Sequence, residues 1–197
     1  MDSLVLVHGA GSGPWVFDDW GLPGAVAVDL HAGLDVAHAS MADYAERVAR
    51  ATDAVAGSCG VVGWSMGGLV AMMAAIVRAP AALVVVEPSA PAEIQGRNRD
   101  VPLRSGTFDP EDAYGRFPPG VAARPESLLA RAERKRGISI PLVPCRMLVV
   151  YGADYAGERG RPVAARYGAD ERGFPDLGHF ELITSPAVRD AVLAWLG

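Results

Sequence analysis

A serine flanked by glycines has the clearest chemical signature in this sequence. The pentapeptide Gly63–Gly67, with Ser65 at its centre, follows an apolar run at Gly60–Gly63 and opens the apolar stretch Ser65–Val77. In this Gly-x-Ser-x-Gly pattern, a tight turn from strand to helix lifts the hydroxyl above a sheet, and larger side chains at the glycines would collide with neighbouring backbone. The pattern predicts Ser65 as a nucleophile; the alternative is an ordinary turn with Ser65 as a helix N-cap.

A serine hydroxyl is a poor nucleophile until a base takes its proton. Of the four histidines, His179 alone lies C-terminal to Ser65, in the loop Phe174–Phe180. In sites built on this kind of turn, the base follows both the nucleophile and the acid along the chain. We therefore expect His179 to be the base.

The acid that would orient the imidazole has three candidates. Asp154 follows the apolar run Arg146–Tyr151 and precedes His179, and it is the preferred one. Glu87, at the end of another apolar run, is the second choice, and Glu158, on the same loop as Asp154, is the third. Chain order alone does not separate them.

Acyl transfer also needs two N–H donors for the carbonyl oxygen as it becomes negative. The amide of Met66, directly after the nucleophile, is one predicted donor. The second is expected from the glycine-rich turn His8–Gly13, through Ala10 in the first place and Gly11 in the second. The turn lacks the glycine spacing of a dinucleotide site and the lysine of a P-loop.

The neighbourhood of these two turns is expected to form the substrate pocket. Gly9 and Gly11 would let backbone approach a ligand closely. Trp15 and Trp64 lie beside the turns in sequence, where they would either touch the ligand or pack in the core. No His, Cys or Asp cluster has metal-ligand spacing, so neither a metal nor a cofactor is expected.

Short apolar runs alternate with helix-like stretches along the chain. Runs this short and apolar on every side fit strands buried on both faces of a parallel sheet, which makes the fold class α/β. The strands are expected at Ser3–Val7, Ala25–Leu30, Gly60–Gly63, Ala82–Val86, Arg146–Tyr151 and Glu171–Phe174. The helices are expected at Met41–Ala56, with Ser40 as N-cap, and at Ser65–Val77, Pro162–Tyr167 and Pro186–Leu196.

One segment, 89–144, breaks this rhythm. It is rich in proline and arginine and has one convincing helix, at Glu126–Arg136. A segment this long between two core strands favours a lid over the site, with a disordered surface insertion as the alternative. Its arginines would either form a solvated positive face or bind a substrate carboxylate or phosphate, such as that of a coenzyme A or carrier-protein arm; they are Arg97, Arg99, Arg104, Arg116, Arg124, Arg131, Arg134 and Arg136.

Composition narrows the class of protein. The chain has 197 residues, 50% of them hydrophobic, with a formal net charge of −5 and two cysteines. These values predict one folded domain over residues 1–197, and they argue against a nucleic-acid partner and a disulfide framework. No apolar run reaches the about 20 residues of a membrane span, and strand-like sequence begins at Ser3, so we expect a cytoplasmic protein, as a monomer or homodimer.

Four stretches carry a resemblance to a known family: LVLVHGAGSGPWVFDDW, VVGWSMGG, MLVVYGAD and FPDLGHFELI. They resemble the α/β-hydrolase superfamily along nearly the whole chain. The opening His-Gly-Ala with a downstream Trp is similar to its esterase and hydroxynitrile-lyase-like branch. The resemblance implies a three-layer α/β-hydrolase fold with about six mostly parallel strands and a short lid.

The resemblance also implies the nucleophile, base and oxyanion-hole donors, namely Ser65, His179, Ala10 and Met66. It implies Asp154 less firmly. Many members of the family carry the aspartate three residues after the glycine that ends this strand, whereas Asp154 is the second residue after Gly152. This departure keeps Glu87 as an alternative.

The resemblance further implies a reduced version of the fold, because the sequence begins at the family's third strand. An open, shallow site for small acyl groups is then expected. In the family's strand order, Cys59 and Cys145 precede strands that are separated by a third, about 9.5 Å apart. This spacing is too long for a disulfide, so both cysteines are expected to be free thiols.

These observations favour a serine hydrolase that cleaves an ester or thioester through an acyl-enzyme. An acyltransferase, lyase or cyclase using the same site is the first alternative, although a hydroxynitrile lyase of this branch relies on a lysine and the sole lysine is Lys135. A non-catalytic binding protein with this fold is the second alternative, and it is disfavoured because every catalytic residue type is present in order. Ser65 also argues against a dehalogenase, which would need aspartate there.

Overall fold

Six parallel strands form the central sheet of the protein. In a computed structural model, which describes residues 1–119 and 121–197, the sheet order is β2-β1-β3-β4-β7-β8. Two short strands, β5 and β6, pair separately in antiparallel orientation. The strands are β1 Ser3–Val7, β2 Val26–Val28, β3 Cys59–Trp64, β4 Ala82–Val86, β5 Thr107–Phe108, β6 Glu126–Ser127, β7 Arg146–Tyr151 and β8 Asp170–Gly173. The expected α/β class and the six sheet strands are confirmed.

Helices cover both faces of the sheet, which gives three layers. Successive strand residues enter opposite cores: Val61 packs with one cluster of buried side chains and Val62 with the other, as the two-residue period of a strand requires. The helices are α1 Met41–Ala54, α2 Met66–Val77, α3 Ala92–Gln95, α4 Pro110–Tyr114, α5 Leu128–Arg136, α6 Arg161–Tyr167, α7 His179–Thr184 and α8 Pro186–Leu196, with a 3₁₀ turn at Pro14–Trp20 and a π turn at Ala156–Gly160.

Local sequence explains where the helices begin. Ser40 caps α1 as expected, and its side chain and that of Asp43 bond each other's backbone amides reciprocally. Helices α4, α6 and α8 carry proline in the first turn, where its missing N–H costs nothing. No helix within the described ranges is long and apolar enough to cross a membrane.

The segment 89–144 holds more structure than the sequence indicates. Its last helix, α5, begins at Leu128 rather than at Glu126, because Glu126 and Ser127 form β6. Helices α3 and α4 and strands β5 and β6 were not expected, since each spans two to five residues and carries no periodicity. The segment contacts the core through α5, which packs on α1, and through α3, which packs on α6.

Both cysteines are free thiols, as expected. Cys59 begins β3 and Cys145 precedes β7, with β4 lying between those two strands. Burial raises the pKa of both thiols, which lowers their reactivity at neutral pH.

The turn between β3 and α2 has no room for side chains at its glycines. A Cβ on Gly63 would lie 2.4 Å from the carbonyl oxygen of Gly67, and a Cβ on Gly67 would lie 2.3 Å from that of His8. Ser65 between them has a left-handed backbone, with φ of 57° and ψ of −120°. The expected steric role of the two glycines is therefore confirmed.

We predict that Gly67→Ala lowers the free energy of unfolding by about 1–3 kcal/mol, because the added methyl group must displace backbone of β1. Urea unfolding at pH 7 measures the change. Gly157→Ala is the matched control, since a Cβ there meets no atom within 4 Å. Equal stability of the two variants would contradict the steric account.

Candidate active site

The turn and α7 bring the predicted serine and histidine together. Nε2 of His179, the first residue of α7, lies 3.0 Å from Oγ of Ser65. The imidazole stacks on the indole of Trp64, with ring centroids 5.2 Å apart, and meets the edge of Tyr155. Two aromatic rings therefore fix the orientation in which the histidine faces the hydroxyl.

The carboxylate beside the other ring nitrogen belongs to Glu87. Its Oε2 is in hydrogen-bond contact with Nδ1 of His179, and its Oε1 accepts a hydrogen bond from the amide of Gly152 at 3.0 Å. The side chain is fully buried. Glu87 has a left-handed backbone, with φ of 43°. Among the described non-glycine residues, Ser65 is the only other one with a positive φ.

The sequence preference for Asp154 as the carboxylate at the imidazole is wrong in this structure. Asp154 is exposed and accepts a hydrogen bond from the backbone amide of His179 at 2.8 Å, so it holds the start of α7 rather than the ring. Glu158, the third candidate, is exposed, and the hydrogen bonds of the histidine ring within the described residues go to Glu87 and Ser65 instead. The second choice, Glu87, is the residue that the fold brings to the ring.

Strand pairing explains this outcome. Trp64 of β3 pairs with Val86 of β4, so Ser65 and Glu87 leave adjacent strands at the same level. Asp154 lies beyond β7, one strand farther from β3. A serine and an acidic residue that each follow the last residue of neighbouring strands are the signal that could have identified Glu87.

The two backbone amides that the sequence predicts as donors to a carbonyl oxygen belong to Met66, next to Ser65, and to Ala10. Met66 begins α2, and the first amides of a helix lack intrahelical acceptors. Ala10 borders the cavity above Ser65, and its amide donates to no acceptor in the described part of the chain. The amide of Gly11, the alternative donor, is occupied because it donates to Glu126 at 2.9 Å.

A cavity of about 600 Å³ opens above Ser65 and His179. Of the four predicted pocket residues, Trp64 lines it, whereas Gly9, Gly11 and Trp15 do not. Gly9 instead makes room for the turn, since a Cβ there would lie 2.8 Å from the Trp64 ring. Arg134, one of the arginines that the sequence offered for binding a substrate anion, also lines it. The sequence did not indicate the other large lining side chains, which include Tyr114, Phe117, Tyr155, Arg159 and Phe180.

Trp15 is excluded from the cavity by its own contacts. Its indole N–H donates to the carbonyl of Ala122 at 3.1 Å, and the guanidinium of Arg124 lies over its ring. The tryptophan therefore joins the first turn of the protein to the segment 89–144. Of the predicted alternatives, packing rather than ligand contact is the one observed.

A buried carboxylate, Glu126, also ties that segment to the turn His8–Gly13. Its oxygens accept hydrogen bonds from the Gly11 amide at 2.9 Å and from the Tyr44 hydroxyl at 2.7 Å, and they meet Nε2 of His31 at 3.1 Å. Burial opposes ionisation, but the bonds from His31, Gly11 and Tyr44 prevail and lower the pKa of Glu126 to about 2. Sequence reasoning missed this cluster because its members are far apart in the chain.

His8, on the same turn, is held as a neutral ring. Its Nδ1 donates to the carbonyl of Gly9, so its Nε2 is the acceptor for the amide of Leu30 and for the guanidinium of Arg124, both at 3.1 Å. Burial, reinforced by Arg124, lowers the pKa of His8 to about 4. Protonation would break both acceptor contacts.

The described residues contain no group of three or more His, Cys, Asp or Glu side chains that could hold a metal ion.

Comparisons with known proteins agree with this architecture. A model of the alpha/beta hydrolase family matches residues 4–191. A search of curated proteins found no significant match.

Solved structures with the same fold include polyneuridine aldehyde esterase, at 17% identity and a TM-score of 0.68, with full coverage of both chains. The RedJ thioesterase from the prodiginine pathway of Streptomyces coelicolor is 23% identical, with a TM-score of 0.64 over 98% of this chain and 84% of that one. A pyrethroid hydrolase from Sphingobium faniae JZ-2 is 15% identical, with a TM-score of 0.65 over 98% and 96% of the two chains. The expected three-layer fold of these enzymes is confirmed.

We predict that the protein loses stability as the pH falls from 7 to 4.5, because of His8. The unfolded histidine binds a proton below about pH 6.5, whereas the folded one stays neutral until about pH 4. The unfolded state thus gains protons first, which lowers the free energy of unfolding by about 2 kcal/mol over this interval.

Urea titrations at several pH values measure this slope. His8→Asn should flatten it, and His38→Asn, which removes an exposed histidine, should leave it as in the wild type. An unchanged slope in His8→Asn would assign the acid sensitivity to another group.

Proposed function

The chain belongs to the alpha/beta hydrolase family, and from that premise we propose that it is a serine hydrolase that cleaves an ester or a thioester. The observation that carries the proposal is the 3.0 Å contact between Oγ of Ser65 and Nε2 of His179, with Glu87 on the opposite ring nitrogen. This is the order of groups that lets a hydroxyl lose its proton while it attacks an acyl carbon.

In the proposed mechanism, Oγ of Ser65 attacks the acyl carbon while its proton passes to Nε2 of His179. The acyl oxygen becomes negative and is stabilised by hydrogen bonds from the amides of Ala10 and Met66. His179 then gives the proton to the departing alcohol or thiol, which leaves an acyl group on Ser65. A water molecule, deprotonated by His179, then attacks the acyl carbon in the same way. The carboxylic acid product leaves, and Ser65 recovers its proton from His179.

Glu87 is assigned the role of the acid. Its negative charge, fully buried and next to Nδ1, stabilises the imidazolium that forms when His179 accepts a proton. The hydrogen bond from Gly152 fixes the carboxylate in this position. Asp154 is a positioning residue, because it acts on the backbone of His179.

The segment 89–144 is assigned the role of a lid. Tyr114, Phe117 and Arg134 of this segment border the cavity that opens above Ser65. The cavity volume of about 600 Å³ is within the usual range for small-molecule sites, and it supports a substrate with a small acyl group.

We predict that a fluorophosphonate probe labels the wild-type protein and fails to label Ser65→Ala, because phosphonylation requires the activated hydroxyl. Intact-protein mass spectrometry gives the adduct, and peptide mapping gives its position. Ser58→Ala, which removes a serine at the opposite end of β3, should be labelled as the wild type is. Full labelling of Ser65→Ala would disprove the assignment of the nucleophile.

We predict that Glu87→Gln lowers kcat on a p-nitrophenyl ester by about 10³- to 10⁴-fold, since a neutral amide cannot stabilise the imidazolium. Asp154→Asn keeps an oxygen that can accept the His179 amide bond, so kcat should stay within about tenfold of the wild type. Thermal unfolding of both variants checks that the fold is intact. The reverse pattern of losses would restore Asp154 as the acid.

A further inference from the structure

Two arginines reach the proposed active site from different parts of the fold. Arg134 comes from α5 in the segment 89–144, and Arg159 comes from the π turn that follows β7. Both line the cavity above Ser65. Both also line a neighbouring groove of about 500 Å³, so the arginines stand where the groove joins the cavity.

The guanidinium of Arg134 is held in place by neutral partners. Its Nη1 donates to the Ser89 hydroxyl at 3.0 Å, and its Nη2 donates to the Tyr114 hydroxyl at 2.7 Å. Its Nε is buried and has no hydrogen-bond partner in the described residues. The guanidinium of Arg159 lies over the ring of Tyr155, with 3.5 Å between its central carbon and the ring centroid. Both cations are therefore preorganised.

Neither arginine has a carboxylate partner within 4.0 Å in the described part of the chain. The acidic side chains that line the cavity are engaged elsewhere, because Asp154 accepts the amide of His179 and Glu181 accepts that of Gly178. Glu158 lines the neighbouring groove, where it is exposed and forms no ion pair with either arginine. Burial lowers the pKa of Arg159, and the charge of Arg134 adds to this effect. The charge of Glu87 acts on Arg159 in the opposite direction, but it does not contact the guanidinium. Two partly buried positive charges therefore have no carboxylate in direct contact among the described residues, an arrangement that favours the binding of an anion.

Other arginines of the segment are committed to the fold. Arg124 pairs with Asp29, and Arg136 donates to the carbonyls of Val101 and Arg99. Arg131 lies over the ring of Phe108. The geometry therefore singles out Arg134 within the segment, and it adds Arg159, which lies outside it.

We propose that Arg134 and Arg159 bind an oxyanion, a carboxylate or a phosphate, on the substrate whose acyl carbon Ser65 attacks. Guanidinium groups suit both anions, because their N–H groups match pairs of oxygens. The proposal rests on the function proposed above and deepens it: the substrate is an anionic ester or thioester, with its charged end in the groove and its acyl carbon at Ser65.

Matched substrates test the proposal on the wild-type protein. For a carboxylate, the p-nitrophenyl monoester of adipic acid is compared with the same compound as its neutral methyl ester. For a phosphate, acetyl-phosphopantetheine is compared with acetyl-pantetheine. We expect kcat/KM to favour the anionic member of at least one pair by about 10- to 100-fold, the effect of a charge-assisted pair of hydrogen bonds. The pair that shows the preference identifies the anion.

Variants then locate the effect. Arg134→Gln and Arg159→Gln should each reduce the anionic-to-neutral ratio of kcat/KM by about tenfold, and a general loss of activity cancels in this ratio. Arg104→Gln removes an exposed arginine of the same segment, and it should keep the wild-type ratio. Labelling of each variant by the fluorophosphonate probe shows that the site is assembled. Should Arg134→Gln not fold, Arg159→Gln decides.

Three results would overturn the proposal. If the wild type cleaves the anionic and neutral members of both substrate pairs equally well, the anion site is disproved, and the assignment as a serine hydrolase is kept. If the preference exists but survives in both arginine variants, the assignment to these residues is disproved. If the wild type cleaves no ester and takes no fluorophosphonate label, both the anion site and the proposed function fail.

Discussion

The proposed active site depends on the pairing of β3 with β4. The amide of Ser65 donates to the carbonyl of Val86, and the amide of Glu87 donates to that of Val150, so hydrogen bonding between strands continues one residue past each strand. At that residue the backbone turns left-handed in both strands. The side chains of Ser65 and Glu87 are thereby directed to the same edge of the sheet. The imidazole of His179, at the start of α7, lies between them.

A second buried network couples the segment 89–144 to the opposite side of the site. Glu126 holds the amide of Gly11, and Arg124 reaches both His8 and Asp29. The amide of Ala10 lies between these anchors, so its position depends on residues more than a hundred positions away in the sequence. Since a buried polar group left without its partners costs about 1–3 kcal/mol, the segment and the turn are ordered as one unit.

Local patterns predicted the strands and the turn at Ser65, because each depends on residues adjacent in sequence, and the order of groups along the chain predicted the histidine. The carboxylate at the ring depends on which strands are neighbours and on their register, which a single chain does not display locally; Asp154 was preferred for that reason. The sequence left open whether Trp15 touches the ligand or packs in the core, because its partner, Ala122, lies in a segment without periodicity. The arginine pair was missed in part because Arg159 lies in a short turn outside that segment.

The left-handed backbone at Ser65 and Glu87 places stability and catalysis in conflict at these two positions. A non-glycine residue held in such a conformation costs about 1–3 kcal/mol, and glycine would remove the cost at either position while deleting a proposed catalytic group. Selection for thermal stability alone would therefore favour the loss of chemistry at these positions. Consensus or stability-driven redesign of this chain should hold both residues fixed, and it should seek its gains in parts of the fold remote from this edge of the sheet.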